Sequence, residues 1–265
     1  MRKREIGLAL GSGAVRGFAL IPIIKRLEKE DIKISAVSGS SVGSLVGTYY
    51  ALYGEIDSFF DKVKEMERRD YLKLADPNNP KISLFKGKKI KKFLSDNFFD
   101  KKTFKDTKIP LYVCATEINR KKAVYLSRGK LVDAVMASIS IPGILPPYKI
   151  GKRVFVDGGV LDPVPTKPLL DKGLKKIVGI SLTCNKLAKE KKSDEGMVPA
   201  LMNTFYMMME KLAEKKENSN LFLLNPNFER EPGRMLAFYD WEDNYNAGKN
   251  LISRKIKDLK KWLDS

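Results

Sequence analysis

Short apolar runs alternate along this chain with longer segments in which apolar residues recur at helical spacing. The runs predicted as strands are 6–10, 34–38, 110–115, 123–126, 153–156 and 176–182. Helices are predicted to end near residues 30 and 53 and to span 56–69, 87–97, 197–216 and 241–263. Because short strands followed by helices are typical of βα units, the pattern predicts an α/β fold with a mainly parallel sheet.

Two segments follow neither pattern and are predicted as loops. Residues 141–168 contain six prolines and four glycines, which favour a rigid, loop-rich surface around one short strand. Residues 185–196 are charged and are predicted to form an exposed loop. Since no repeat and no low-complexity linker divides the sequence, residues 1–265 are predicted to form a single domain.

The composition is that of a globular protein, with 43% hydrophobic and 31% charged residues. Fifty Lys and Arg against thirty-two Asp and Glu give a formal net charge of +18, which favours anionic partners. The chain contains no histidine. This excludes Ser-His-Asp and Cys-His catalysis, and it excludes the common histidine-containing zinc sites.

Cysteine usage and hydropathy indicate the compartment. Cys114 and Cys184 lie seventy positions apart, which favours two buried thiols in a reducing compartment over a disulfide framework. The N-terminal residues do not resemble a secretory signal. The longest weakly polar stretch, 7–24, is interrupted by Arg16, Pro22 and four glycines, so it is not expected to span a membrane. A cytoplasmic protein is expected.

A GxSxG segment lies between a predicted strand and a predicted helix. Gly39 and Gly43 would permit a sharp turn that presents Ser41 at the N-terminus of the helix, where backbone N–H groups favour negative charge. Ser41 is therefore a candidate nucleophile. The alternative is an ordinary turn rich in glycine and serine.

A nucleophilic serine needs a base, and without histidine the choice is a carboxylate or a lysine. The predicted strand 153–156 is followed by Asp157, Gly158 and Gly159, and the glycines would let backbone approach closely. Since the carboxyl ends of parallel strands meet at one edge of a sheet, Asp157 and Ser41 are expected at the same edge. The alternative is a common Asp-Gly turn.

A glycine-rich loop follows the first predicted strand. Gly11, Gly13 and Gly17 surround a predicted helix start, and backbone N–H groups there would form a cradle for a developing oxyanion. The alternative is a dinucleotide-binding loop. That motif requires glycine at position 16, which is Arg16, and Asp31 follows a helix rather than a strand.

Three motifs thus occur in a fixed order: a glycine-rich loop with Arg-Gly, GxSxG, and Asp-Gly-Gly. Together they resemble the patatin-like phospholipase family, in particular its compact bacterial and archaeal members. Ala137-Ser138, Ile141-Pro142-Gly143 and Pro163-Val164-Pro165 also match the family. The resemblance covers residues 6–250 and is weakest across 185–217.

The resemblance implies a three-layer α/β/α domain that hydrolyses acyl esters of lipids without a metal ion or cofactor. By motif, Ser41 would be the nucleophile and Asp157 the base. The backbone N–H groups of Gly13 and Ala14 would bind the oxyanion, and Gly11 would shape the turn. Arg16 matches the arginine of the family's loop and would steady the loop or meet a phosphate.

The glycine-rich loop departs from the family at two positions. The family usually has glycine where this chain has Ser12 and Ala14. If either position requires a positive φ, a non-glycine residue is strained there and the oxyanion site is expected to be less well formed.

The resemblance implies a lipid ester as substrate. The net positive charge favours an anionic membrane surface as a peripheral partner. The methionine-rich segment 197–216 would form either the wall of an acyl-chain groove or a core helix. Basic runs at 86–92, 101–102, 189–192 and 254–261 would hold anionic headgroups or form a solvated surface.

Two other functions stay open. An acyltransferase would use the same serine and aspartate with an alcohol in place of water. A non-catalytic basic module would bind membrane or nucleic acid, with binding that weakens steeply as salt rises. A nucleic-acid partner is not expected, because three ordered motifs for ester hydrolysis would then be coincidence.

Overall fold

A mixed β-sheet forms the centre of the protein in the computed structural model, which describes residues 4–183, 196–214, 219–228 and 237–265. The strands in these residues are β1 (Glu5–Leu10), β2 (Lys33–Ser40), β3 (Leu111–Glu117), β4 (Lys122–Leu126), β5 (Tyr148–Ile150), β6 (Arg153–Asp157), β7 (Ile177–Ile180) and β8 (Leu221–Leu224). Cys184 and most of the predicted loop 185–196 lie outside the described residues.

Hydrogen-bonded pairs link the strands in the order β5-β6-β3-β2-β1-β7-β8, and β4 pairs with the other edge of β3. Strands β3, β2, β1, β7 and β8 are mutually parallel. The remaining pairs, β3–β4, β3–β6 and β5–β6, are antiparallel. The predicted α/β class is confirmed, with an antiparallel arm that the hydrophobic pattern did not indicate.

The helices in the described residues flank this sheet. They are α1 (Leu20–Lys29), α2 (Val42–Tyr53), α3 (Asp57–Lys64), α4 (Arg68–Leu74), α5 (Lys88–Leu94), α6 (Leu131–Ser138), α7 (Lys167–Asp171), α8 (Met197–Glu214) and α9 (Glu242–Asp264). A 3-10 helix, Ala14–Ala19, precedes α1, and a π-helical turn, Ser95–Phe99, follows α5.

The prediction of a single helix over 56–69 is wrong. The chain forms two helices there, α3 and α4, with a break between them. At the break, Glu67 and Asp70 form a capping box in which the Glu67 N–H donates to Asp70 Oδ2 over 3.2 Å. This cap starts a second helix at Arg68. The elements β5, β8, α6 and α7 were not predicted.

Strand β1 shows how the two faces of the sheet are covered. Ile6, Leu8 and Leu10 point into the larger core, which includes residues of α1, α2 and α9. Ala9 points to the opposite face and packs in a second cluster with Leu169 of α7. The alternation along one strand therefore produces three layers, helices–sheet–helices.

Candidate active site

Ser41 occupies a strained turn between β2 and α2. Its φ is 53° and its ψ is −126°, a conformation that residues other than glycine rarely adopt. A Cβ on Gly39 would overlap the carbonyl oxygen of Gly43, and a Cβ on Gly43 would overlap the carbonyl oxygen of Leu10. Both flanking positions therefore require glycine, and the strand–turn–helix context expected for GxSxG is present.

The side chains of Ser41 and Asp157 are in direct contact. Ser41 Oγ donates a 2.6 Å hydrogen bond to Asp157 Oδ2. The second carboxylate oxygen, Oδ1, accepts the N–H of Gly159 over 2.7 Å. Asp157 is fully buried and Ser41 is 5% exposed. The carboxylate is thus held in one orientation, with one oxygen available to the serine hydroxyl.

The two residues meet because β2 and β6 lie end to end along β3. Strand β4 covers one edge of β3, so β2 and β6 share the other edge, with Ser40 opposite Cys114 and Asp157 opposite Ala115. Strand β6 is antiparallel to β3. The expectation of two parallel strands ending at one edge was therefore wrong about the direction of β6. The carboxyl ends of β2 and β6 instead point toward each other.

Burial dominates the electrostatics of Asp157. Removal from water raises the pKa of this carboxyl to about 7, although its hydrogen bonds with Ser41 and Gly159 act in the opposite direction. Desolvation disfavours the charged form, whereas donated hydrogen bonds favour it. A carboxyl with a pKa near neutrality is a much better proton acceptor than an exposed aspartate.

The glycine-rich loop presents free backbone donors near Ser41. The N–H groups of Gly11 and Ser12 donate to carbonyl oxygens of neighbouring loops and strands. In the described part of the chain, no acceptor engages the N–H of Gly13 or Ala14. Ala14 and Ser41 line the same cavity, whereas Gly13 does not line it.

The two departures from the family's loop differ in their backbone conformation. Ala14 has a φ of 47°, so the strain expected of a non-glycine residue is present there. Ser12 does not have a positive φ. Its buried side chain donates a 2.9 Å hydrogen bond to Ser40 Oγ, one residue before Ser41.

The other predicted motif glycines occupy close contacts around the same centre. A Cβ on Gly11 would meet the carbonyl oxygen of Ile180, and one on Gly17 would overlap Val42. A Cβ on Gly158 would overlap the carbonyl oxygen of Cys114, and one on Gly159 would come within 2.7 Å of Met209 Sδ. These glycines let the loop, the turn and the end of β6 pack together.

Arg16 lies beneath the site rather than in it. Its guanidinium is within 5.1 Å of the ring centres of both Tyr206 and Phe228 and donates to the carbonyl oxygen of Leu182 over 3.2 Å. The residue is 6% exposed and does not line the cavity. Of the two roles that the resemblance offered, this geometry favours steadying the loop over meeting a phosphate.

Ser138 belongs to a motif that matches the family, but the sequence analysis assigns it no role. Its Oγ accepts the N–H of Ser41 over 2.9 Å and donates to the carbonyl oxygen of Cys114 over 2.5 Å. It lies at the end of α6 and is fully buried. The signal available in the sequence was Ala137-Ser138 close before the proline-rich segment. Ser138 ties the strained Ser41 backbone to β3.

Ser41 lines an apolar cavity of about 530 Å³. Its wall is built mainly by α2, α3, α4 and α5 and by residues 139–145, and its lining is predominantly apolar. No described side chain of helix α8 contributes to this wall. One face of α8 packs against Ile144 and Leu145 through Met202, Tyr206 and Met209. Of the two alternatives for segment 197–216, this packing favours a core helix over a wall of this cavity.

Two further features concern ligands and membranes. Within the described ranges, no three side chains of the histidine, cysteine, aspartate and glutamate types come together to hold a metal ion. In the same residues, no helix combines the length and the apolar character needed to cross a membrane. Cys114 is buried, and its thiol donates to the carbonyl oxygen of Gly158 over 4.0 Å.

Comparisons with known proteins place these motifs in a family context. A family model described as "Patatin-like phospholipase" matches residues 8–170, which is more than half of the chain. An NTE family protein of Mycobacterium tuberculosis is 31% identical over 199 residues, covering 75% of this chain and 55% of that protein. The chain thus spans about half the length of these relatives.

Fungal relatives and one solved structure extend the comparison. Lysophospholipase NTE1 of Cryptococcus neoformans is 29% identical over 182 residues, or 68% of this chain and 11% of that protein. Lysophospholipase nte1 of Aspergillus niger is 32% identical over 162 residues, or 60% of this chain and 10% of that protein. The crystal structure of VipD from Legionella pneumophila superposes with a TM-score of 0.53 at 14% identity, covering 98% of this chain and 66% of that chain. This last likeness concerns the fold alone.

Proposed function

Because this chain belongs to the patatin-like phospholipase family, we propose that it hydrolyses carboxylic esters of lipids through Ser41 and Asp157. The observation that carries the proposal is the 2.6 Å hydrogen bond from Ser41 Oγ to a buried carboxylate whose pKa is about 7. The names of the fungal relatives, lysophospholipases, support a glycerolipid with an acyl ester as the substrate.

The first half of the reaction forms an acyl-enzyme. Asp157 Oδ2 accepts the proton of Ser41 Oγ while the oxygen attacks the ester carbonyl carbon. The carbonyl π electrons move onto the oxygen, which becomes an oxyanion. Asp157 then gives its proton to the departing alcohol oxygen as the C–O bond breaks.

The oxyanion would be stabilised by the glycine-rich loop. The unengaged N–H groups of Gly13 and Ala14 are the proposed donors, and removal of one such donor typically lowers the rate by about 10²–10³-fold. These donors are backbone groups on a loop that is hydrogen-bonded to its neighbours at Gly11 and Ser12. Preorganised dipoles of this kind compensate for the weakness of a carboxylate as a base.

The second half of the reaction restores the enzyme. A water molecule gives one proton to Asp157 and attacks the acyl carbon, and the C–Oγ bond breaks as Ser41 regains the proton. The products are a fatty acid and an alcohol or lysolipid. Neither half-reaction requires a metal ion, so EDTA is expected to leave the rate unchanged.

The cavity supports an acyl chain as the group bound next to Ser41. Ile139 and Ile141 line the cavity together with Ser41, and Phe59, Phe93 and Phe98 contribute aromatic side chains to the wall. A predominantly apolar cavity of this size falls in the range that binds small lipophilic ligands. Burial of each methylene contributes about 0.8 kcal/mol to binding.

The test compares wild type, Ser41→Ala and Asp157→Asn on a short-chain chromogenic ester and on a lysophospholipid, in the presence of EDTA. Ser35→Ala serves as a matched control, because Ser35 lies on the same strand β2 and its Oγ bonds only a backbone carbonyl. We expect both site variants to lose about 10³-fold or more in kcat/KM. Wild-type rates in Ser41→Ala, with the fold intact by circular dichroism, would refute the proposal.

A further inference from the structure

The cavity that begins at Ser41 opens to solvent beside α4. Among the cavity-lining residues that the structure describes, the exposed ones are Arg68, Leu72 and Tyr239. Leu72 is 62% exposed and Tyr239 is 39% exposed. Since the rest of this wall is buried or half-buried, the mouth lies where these three side chains meet the solvent.

A hairpin-like loop formed by residues 76–86 lies next to this mouth. Its two arms are joined by backbone hydrogen bonds, and the N–H of Leu84 donates to the carbonyl oxygen of Gly143 over 2.9 Å. Gly143 precedes Ile144, which lines the cavity. At the tip of the loop, Ile82 is 58% exposed. Two of the most exposed large apolar side chains, Leu72 and Ile82, therefore belong to segments that border the cavity.

The same region carries a strong positive charge. Residues 68–92 contain nine Lys and Arg and two Asp. One of the two, Asp76, is buried, and its carboxylate accepts backbone N–H groups at the start of α5. Four of the nine basic residues form ion pairs with described acids, namely Arg69, Lys73, Lys91 and Lys92. Lys81 and Lys86 are exposed and form no ion pair with any described residue.

We propose that this surface, the mouth face, formed by Arg68, Leu72, Lys81, Ile82 and Lys86, docks on an anionic lipid surface. The inference rests on the proposed lipid substrate. Exposed apolar side chains insert at the level of the headgroups, and each basic side chain near the membrane adds electrostatic attraction. In this orientation a lipid would pass from the bilayer into the cavity without crossing bulk water.

A docking variant tests this directly. It combines Lys81→Glu, Ile82→Ser and Lys86→Glu. None of these side chains lines the cavity or contacts Ser41 or Asp157. The loop's own hydrogen bonds are formed by backbone groups and by the side chains of Asn78, Asn79 and Ser83, all of which the changes retain.

A control variant carries the same change in charge and the same apolar loss at other sites. It combines Ile118→Ser, Lys249→Glu and Lys257→Glu. Ile118 is 42% exposed, Lys249 and Lys257 lie on the exposed face of α9, and none of the three lines the cavity.

Binding is measured by co-sedimentation with vesicles of phosphatidylglycerol and phosphatidylcholine in equal parts, and with phosphatidylcholine alone. Wild type and control are expected to bind the anionic vesicles, more weakly as salt rises, and the docking variant to bind about 30-fold or more weakly. All three proteins are expected to cleave a soluble short-chain ester at the same rate.

The proposal is overturned if the docking variant sediments like the control, or if wild type does not distinguish anionic from zwitterionic vesicles. It is also overturned if the mouth face instead joins two copies of the chain, so that the docking variant changes the oligomeric state without changing vesicle binding. Because sedimentation requires no turnover, these results are independent of whether Ser41 and Asp157 hydrolyse esters.

Discussion

The side chains of Ser12 and Ser40 meet in a buried 2.9 Å hydrogen bond. Ser12 belongs to the glycine-rich loop, and Ser40 is the last residue of β2 before the Ser41 turn. The contact therefore joins the proposed oxyanion donors to the proposed nucleophile. Where the family usually has glycine, this chain has a side chain that links the two halves of the site.

This link predicts energetic coupling between the two serines. Ser12→Ala and Ser40→Ala each leave a buried hydroxyl without this partner, so each is expected to lower the free energy of unfolding by about 1–3 kcal/mol. The double variant is expected to lose less than the sum, with a coupling energy of about 1 kcal/mol. The measurement is a double-mutant cycle by urea denaturation. Strict additivity would show that the hydrogen bond contributes nothing to stability.

The strain at Ala14 predicts an unusual response to glycine. Replacing alanine by glycine normally destabilises through chain entropy by about 0.5–1 kcal/mol. At Ala14 the φ is 47°, a left-handed conformation that strains alanine but not glycine. Relief of this strain would stabilise the folded protein by about 1–2 kcal/mol and offset the entropic cost. Ala19, in the same 3-10 helix with a φ of −66°, is the matched control. Ala14→Gly is expected to be more stable than Ala19→Gly by at least about 1 kcal/mol in thermal unfolding, and equal losses would contradict the strain.

The position of Arg16 predicts an effect on stability rather than on headgroup preference. Loss of the guanidinium between Tyr206 and Phe228, together with its bond to Leu182, is expected to cost about 2–4 kcal/mol in Arg16→Ala. Arg16→Lys is expected to recover only part of this, since an ammonium cannot stack on both rings. The ratio of kcat/KM for anionic and zwitterionic lipids is expected to stay unchanged. A selective loss on anionic lipids would indicate a phosphate contact.

The local motifs of the site could be predicted from the sequence because each is a short segment with its own steric requirement. The GxSxG turn needs glycine at positions 39 and 43, because a Cβ at either position would overlap a neighbouring carbonyl oxygen. Burial of Asp157 also follows from the apolar strand that precedes it. These features depend on neighbours in sequence.

The parts that were not predicted depend on distant residues. Strand β5 has three residues and β8 has four, which is too short for a clear hydrophobic period. The antiparallel direction of β6 is set by its pairing with β3, some forty residues away in sequence. Ser138 contacts Ser41 across 97 positions, and no local pattern marks such a contact.

The raised pKa of Asp157 predicts an acidic limb in the rate profile. Asp157 must be ionised to accept the Ser41 proton, so kcat/KM on a neutral ester is expected to fall tenfold per pH unit below about 7 and to level off above it. The chain has no histidine, so an imidazole cannot produce this limb. A limb centred near pH 4 instead would mean that Asp157 ionises like an exposed aspartate.

The same pKa predicts how stability changes with pH. In the unfolded chain an aspartate titrates near pH 3.9, whereas in the folded protein Asp157 titrates near 7. Between these values the unfolded chain releases the proton while the folded protein retains it. The stabilising contribution of the neutral carboxyl is therefore complete below about pH 4, falls as pH rises, and is lost above about 7.

The difference between wild type and Asp157→Asn isolates this contribution, because the amide has nearly the shape of the carboxyl and does not titrate. Raising the pKa of this carboxyl from 3.9 to about 7 corresponds to about 4 kcal/mol, at 1.36 kcal/mol per pKa unit, and about 3 kcal/mol of it falls between pH 5 and pH 8. Relative to wild type, Asp157→Asn is therefore expected to gain about 3 kcal/mol in unfolding free energy over that interval, measured by urea denaturation at each pH. If the difference in unfolding free energy between the two proteins does not change with pH, the carboxyl of Asp157 is not desolvated. The raised pKa of the proposed catalytic base would then be refuted, and so would the acidic limb near pH 7.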